Sequence, residues 1–297
     1  MSRNDMSRLV GLTLISVFLF ASPPGELFDD FNYNDTGDTL LLAHGWNIVN
    51  GKNAPPAGAQ YDRSLINFMS DPEDPDRSWI TLDAVAGESN DSMRLSRIES
   101  SDKFYEGTYA ARVFFDHALR KSRDGNIQAF YLITPLDYPN DTLYSECDFE
   151  YLPYDIWDPG NNKRSAVYAS TWDSYQPEPF IPDHAFSSKK QNLYGWHTLI
   201  IVVMGGEVRY HIDKDDKPFA VHRYSDKGSS VYPESPMQVA FANWISLVSE
   251  KSKDRRSSTM KVDWFYHVPD TVLYFYEIME RVNAFRKNSI DFINTGN

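Results

Sequence analysis

Cysteine is almost missing from this chain: Cys147 stands alone among 297 residues. A single thiol closes no internal disulfide and builds no cysteine zinc cluster, so neither device holds the fold together. Cations are in short supply as well, 29 Lys and Arg against 42 Asp and Glu, for a net charge of −13. That balance excludes nucleic acid as a partner, since a phosphate backbone is gripped by clustered Lys and Arg. The longest apolar run, residues 9–21, falls short of the roughly 20 residues that span a bilayer. Also absent are a His-Glu-x-x-His metal motif, a Gly-x-Ser-x-Gly nucleophile elbow and a phosphate-binding glycine loop. Aromatic residues are in surplus, with 18 Phe, 18 Tyr and 7 Trp. Together with a 41% hydrophobic content they provide ample material for one large core.

The two ends differ from the middle. Arg3 and Arg8 precede the apolar run, and small or turn-forming residues follow it at Ala21-Ser22-Pro23-Pro24-Gly25. This is the pattern of an export signal, here residues 1–25, and it predicts a secreted or cell-wall-associated protein with no membrane contact after processing. Sequons at Asn34, Asn90 and Asn140 fit that route. At the other end, residues 269–297 form a helical tail. Val272, Phe275, Tyr276, Met279, Val282 and Phe285 recur at helical spacing, with Asp270 as N-cap and Arg281, Arg286 and Lys287 near the C-terminal end. The stripe predicts a helix over 271–287 packed on the body.

Between these ends, residues 26–268 alternate polar and apolar with period two, broken by Pro, Gly, Asn and Asp. The clearest hairpin joins residues 197–203 to 208–212 through Gly205-Gly206, a pair that allows the positive φ angles of a tight turn. Further strands are expected at residues 107–115 and 260–266. Residues 251–258, basic and serine-rich, read as a solvated loop. Many strands with few helices predict an all-β, antiparallel two-sheet sandwich.

One strand carries chemistry. In Tyr144-Ser145-Glu146-Cys147-Asp148-Phe149-Glu150-Tyr151, alternation puts Tyr144, Glu146, Asp148 and Glu150 on one face. Cys147, Phe149 and Tyr151 share the other, apolar face. Any acid-x-acid-x-acid pattern is expected about 0.8 times by chance in such a chain, but Glu-x-Asp-x-Glu only about 0.05 times. Retaining glycoside hydrolysis needs a carboxylate nucleophile and a protonated carboxylic acid about 5–5.5 Å apart. Residues four apart on a flat strand are about 13 Å apart at Cα, and two long glutamates tilted together by a curved sheet close that gap. Crowding three acids also raises at least one pKa, as a general acid requires. The bland alternative is a solvent-facing acidic strand.

Glu146-Cys147-Asp148-Phe149-Glu150 resembles the active-site strand of glycoside hydrolase family 16, the family of lichenases and laminarinases, whose fold is a concanavalin A-like jelly roll. Further resemblances follow in the family's order from residue 28 to 267: Gly107-Thr108-Tyr109-Ala110-Ala111-Arg112-Val113, the 195–213 hairpin, the strand 237–244 ending in Trp244, and the closing strand 260–266. The resemblance implies Glu146 as nucleophile, Asp148 as its assistant and Glu150 as general acid/base. It places Arg112, Tyr144, Ser170, Trp172 and Trp244 along the sugar-binding cleft. Tyr154 and Trp157 join them by position, in the loop after the catalytic strand. A monomer is expected, acting on a β-linked polysaccharide as an endo-glycosidase without a cofactor. The alternatives are a non-catalytic carbohydrate-binding jelly roll and a transglycosylase using the same residues. A structural calcium ion is common in the family, and no ligands for it can be picked out from this sequence. Three departures stand out: Cys147 for a branched aliphatic, Ala242 for an Asn, and Lys214 for a Gly.

Overall fold

Period-two alternation becomes layering at the Ser145–Leu152 strand, where Cys147, Phe149 and Tyr151 are fully buried between two sheets. The computed structural model describes residues 23–296 except 55, 73–76, 159–163, 216 and 251–252. Residues 1–22 of the predicted export signal therefore lie outside the described residues. The first sheet runs, edge to edge, through Ile181–Lys190, Ala166–Gln176, Ser145–Leu152, Asn126–Thr134, Met237–Ile245, Arg94–Phe104 and Trp46–Ile48, antiparallel throughout. The second is built around Arg256–Pro269. On one side lie Gly107–Phe115, Gly195–Met204, Glu207–Ile212 and Ala220–His222. On the other lie Ser78–Ala86 and Leu27–Asp29, which pair with successive halves of the long strand. The Arg94–Phe104 strand also pairs with the second sheet, at Val85 opposite Arg94, and so joins the layers at one corner.

Side chains from both sheets meet in one aromatic core. Phe130 stacks on Phe241 with ring centroids 5.1 Å apart, and Phe241 meets Phe265 of the second sheet edge-on at 6.3 Å. Each such side chain removed from water stabilises the fold by roughly 1.5–3 kcal/mol. The architecture is the predicted all-β jelly roll with a C-terminal helix. The 205–206 turn is also as read, with Gly205 at φ +66° and Gly206 at φ +81° joining Gly195–Met204 to Glu207–Ile212.

Three local expectations are corrected. The helix runs Phe275–Lys287 and its N-cap is Tyr274, whose N–H donates to the Glu277 carboxylate at 2.9 Å. Asp270 cannot open the helix, because it sits at φ +49° with its N–H bonded to the Glu106 carbonyl, ending a strand. The buried stripe is Ile278, Val282 and Phe285, packed on Phe28, Ile200, Val202 and Trp264 of the second sheet's outer face, while Tyr276 is exposed. Finally, the predicted 251–258 loop gives up its end to the Arg256–Pro269 strand, where Arg256 holds the buried Asp124 by two hydrogen bonds and Ser258 is buried.

Candidate active site

Glu146, Asp148 and Glu150 lie on the floor of a cavity of about 780 Å³ that opens on the outer face of the first sheet. Antiparallel register sets Glu146 opposite Trp172, Asp148 opposite Ser170 and Glu150 opposite Tyr168 on the neighbouring strand. Side chains directly opposite share a face, so Tyr168, Ser170 and Trp172 line the same cavity. On the other flank Asp148 faces Tyr131.

The acids are bound to their neighbours and to each other. The Tyr144 hydroxyl donates to Glu146 Oε2. The Trp172 indole Nε1 donates to Asp148 Oδ2 at 3.0 Å. Asp148 Oδ1, buried, has no donor to accept from. Protonation of Asp148 would turn one of its oxygens into a donor, and the neighbouring Glu146 carboxylate favours that form.

Three acids this close cannot all ionise at neutral pH. Burial, then the charges of Glu146 and Glu150, push Asp148 well above the usual carboxylate range, against the opposing Trp172 N–H. Glu150 is pushed up to about 8, first by burial and then by the Glu146 charge. Burial raises Glu146 too, but the Tyr144 hydroxyl, the Arg97 guanidinium and the Asp148 hydrogen bond all favour its anion. Burial thus favours the protonated forms of Asp148 and Glu150, while at Glu146 a hydroxyl and a guanidinium oppose the same rise.

Of the residues expected along the cleft, Tyr144, Trp157, Ser170, Trp172 and Trp244 line the cavity with the three acids. Tyr154 does not: it is buried within the loop that follows the acid strand. Arg112 is elsewhere. Its strand pairs with Arg256–Pro269 and Gly195–Met204, so it belongs to the second sheet, and its side chain bonds Asp263 at 2.8 Å. No side chain of that strand reaches across the sandwich into the cleft.

The structure adds residues that sequence reasoning did not single out. Tyr168 shares the alternation of Ser170 and Trp172. Tyr175 enters the cavity because a β-bulge between Trp172 and Ser174 reverses the pleat, turning Ser174 inward to bond the Asp141 carbonyl. His184 and Phe186 come from Ile181–Lys190, an edge strand, where Pro182 is tolerated. His184 stacks on Trp172 with centroids 4.3 Å apart, and burial lowers its pKa, favouring the neutral ring. Asp155 supports the opposite rim, accepting from the Tyr168 hydroxyl and from the Trp157 N–H, which helps set the Trp157 ring 5.0 Å from Tyr168. Arg97 acts through its charge; it pairs with Glu99 at 2.7 Å and lies over the Tyr131 ring.

A family model described as glycosyl hydrolases family 16 matches residues 73–266. The chain belongs to that family. No curated protein matches it. Among solved structures, a Bacteroides ovatus mixed-linkage glucan family 16 protein in complex with a product is similar at TM-score 0.60 and 15% identity, over 81% of this chain and 99% of that one. The Bacillus licheniformis β-glucanase is similar at TM-score 0.54 and 11% identity, over 82% and 98%. A Mycobacterium tuberculosis pseudo-β-1,3-glucanase follows at TM-score 0.56 and 16%, over 82% and 98%. These likenesses establish the jelly-roll fold, and the family match establishes a glycoside hydrolase. Among the described residues no three His, Cys, Asp or Glu side chains are placed to hold a metal ion.

Proposed function

We propose that this family 16 member is a secreted, retaining endo-hydrolase of a neutral β-linked glucan, with Glu146 as nucleophile and Glu150 as acid/base. The observation that carries the reading is the placement of Glu146 and Glu150 on one strand in the floor of one cavity, with the Tyr144 hydroxyl bonded to Glu146 and burial pushing Glu150 up to about 8. In the first step Glu150 gives its proton to the glycosidic oxygen while the Glu146 carboxylate bonds to the anomeric carbon, and the leaving sugar departs with that proton. In the second step Glu150, now ionised, takes a proton from water. The water oxygen bonds to the anomeric carbon and Glu146 leaves as the carboxylate. Two inversions give net retention. Asp148 keeps a proton beside Glu146 and steadies the carboxylate as it leaves.

Substrate charge follows from the lining. The described residues around the cavity include Glu146, Asp148, Glu150 and Asp158 but no Lys or Arg, a lining that favours a neutral glycan over a sulfated or uronic one. Trp172, Trp244 and Phe186 offer ring faces for the C–H faces of sugars. A β-glucan is favoured by the similar structures, among them a mixed-linkage glucan protein, a lichenase and a laminarinase. Export rests on the sequence pattern of residues 1–25.

The test is Glu146→Gln and Glu150→Gln assayed on lichenan, laminarin and carrageenan, with the anomer of the first product read by proton NMR. Both variants should lose hydrolysis of the neutral glucans while keeping the wild-type circular dichroism spectrum. Wild-type turnover in both, or an inverted first product, overturns the proposal. Products longer than the substrate would reassign the second step to an acceptor sugar.

A further inference from the structure

Arg112, displaced from the cleft, lines a second cavity. It has a volume of about 550 Å³ and lies between the C-terminal helical segment and the outer face of the second sheet. Arg77 and Arg112 enter it from the sheet, Arg286 from the helix, and Asp30, Asp291 and Trp264 complete the part used here. All three guanidinium groups converge on Asp263, which is 1% exposed: Arg77 Nη2 at 2.9 Å, Arg112 Nη1 at 2.8 Å and Arg286 Nη2 at 2.8 Å.

Three cations are more than one carboxylate needs, since one fork-shaped guanidinium already satisfies both oxygens. Of the other two acids, Asp291 offsets one of these charges and Asp30 little. Asp30 is 3.8 Å from Arg286 Nε, and burial, then the charge of Asp291, push its carboxyl up to about 8, so it is mostly neutral at pH 7. Asp291 accepts from Asn32 at the rim. With Asp30 mostly neutral, the three guanidinium groups face two carboxylates, Asp263 and Asp291, and leave one positive charge in excess on a protein whose net charge is −13. The Arg77 and Arg112 side chains keep about a third of their surface exposed (32% each), and each guanidinium has five N–H donors, more than Asp263 can use. Arg77 Nε and Arg286 Nε have no hydrogen-bond partner. Arg112 is held in place by Trp196, whose ring centroid is 5.1 Å from the guanidinium. Backbone N–H groups of Asn288 and Ser289 cap the carbonyls of Ala284, Phe285 and Arg286, which limits the negative end of the helix dipole.

We propose that this cavity binds a small oxyanion, a carboxylate or phosphate group held between Arg77 and Arg112 of the sheet and Arg286 of the helix. Such a ligand fastens the helix to the sandwich, and because it binds only the folded chain it stabilises by mass action. The site lies across the sandwich from the acids and does not depend on the hydrolase reading.

The experiment is thermal denaturation and calorimetric titration of the full chain with inorganic phosphate, glucuronate and glucose, each against sodium chloride at matched ionic strength. Phosphate or glucuronate should raise Tm saturably, and Arg112→Gln and Arg77→Gln should each weaken binding about tenfold, which is about 1.4 kcal/mol. A stronger response to glucuronate supports an acidic sugar as the source; a stronger response to phosphate supports a free anion. Glu146→Gln should leave the response intact. The proposal fails if chloride or glucose does as well, if both Arg variants respond like the parent, or if Glu146→Gln abolishes the effect and so moves the anion to the cleft.

Discussion

The Trp172 indole and the Asp148 carboxyl are joined diagonally across two strands, Nε1 to Oδ2 at 3.0 Å, while the register partners are Trp172 with Glu146 and Asp148 with Ser170. One residue therefore offers a ring to the cavity and fixes the orientation of the central acid. The two roles can be separated. Trp172→Phe keeps a ring and removes the donor; it should lower kcat about tenfold with a smaller change in KM. Trp172→Ala should raise KM as well. Steady-state kinetics on a soluble oligosaccharide checks both.

In the proposed role of acid, Glu150 must be protonated to act on the substrate, and its carboxyl is pushed up to about 8. Activity should accordingly fall as pH rises through about 8, seen as the basic limb of kcat/KM. Part of that shift is the Glu146 charge, so Glu146→Gln should lower the Glu150 value, measured by carbon NMR of the labelled side chain.

The same shift has a cost in stability. Between about 4.5 and 8 the unfolded chain ionises Glu150 while the folded chain keeps it protonated. The raised value stabilises the fold at low pH, and this contribution is lost as pH climbs through that window. Glu150→Gln should therefore melt higher than the parent near pH 7, with the difference shrinking towards pH 4. Thermal melts across that range check it, and a difference independent of pH would contradict the burial argument.

Phe186 is 52% exposed on the edge strand, beside His184 on the cavity wall. Phe186→Ala should raise KM several-fold for long oligosaccharides, consistent with about 1 kcal/mol of lost ring contact, and leave short ones unaffected. Chain-length series of KM decide the matter.

The acid strand was legible because period-two spacing fixes which side chains share a face, whatever the strand's neighbours. Glu146, Asp148 and Glu150 came together on those grounds, and Cys147, Phe149 and Tyr151 took the buried side. Arg112 was misplaced because a strand's own sequence does not say which sheet it joins; only its pairing with Arg256–Pro269 decides that. Tyr175 was invisible because a bulge is a property of two strands, not of one. The helix start moved for a similar reason: Asp270 is a good N-cap in isolation, but its N–H was already bound to Glu106. Local periodicity was readable, and what depends on a distant partner was not.

Leu27–Asp29 and Phe292–Asn294 lie side by side, with Leu27 opposite Asn294, and Glu26 and Thr295 are bonded just beyond them. The chain leaves both strands at the same end of the ladder. Pulled apart there, the ladder would unzip one bond after another instead of shearing as a unit. The peripheral strand and then the Phe275–Lys287 helix would peel away at low force, exposing the arginine cavity, before the tension reached the strands that hold Glu146 and Glu150. Mechanically, the tail is a fuse placed ahead of the chemistry.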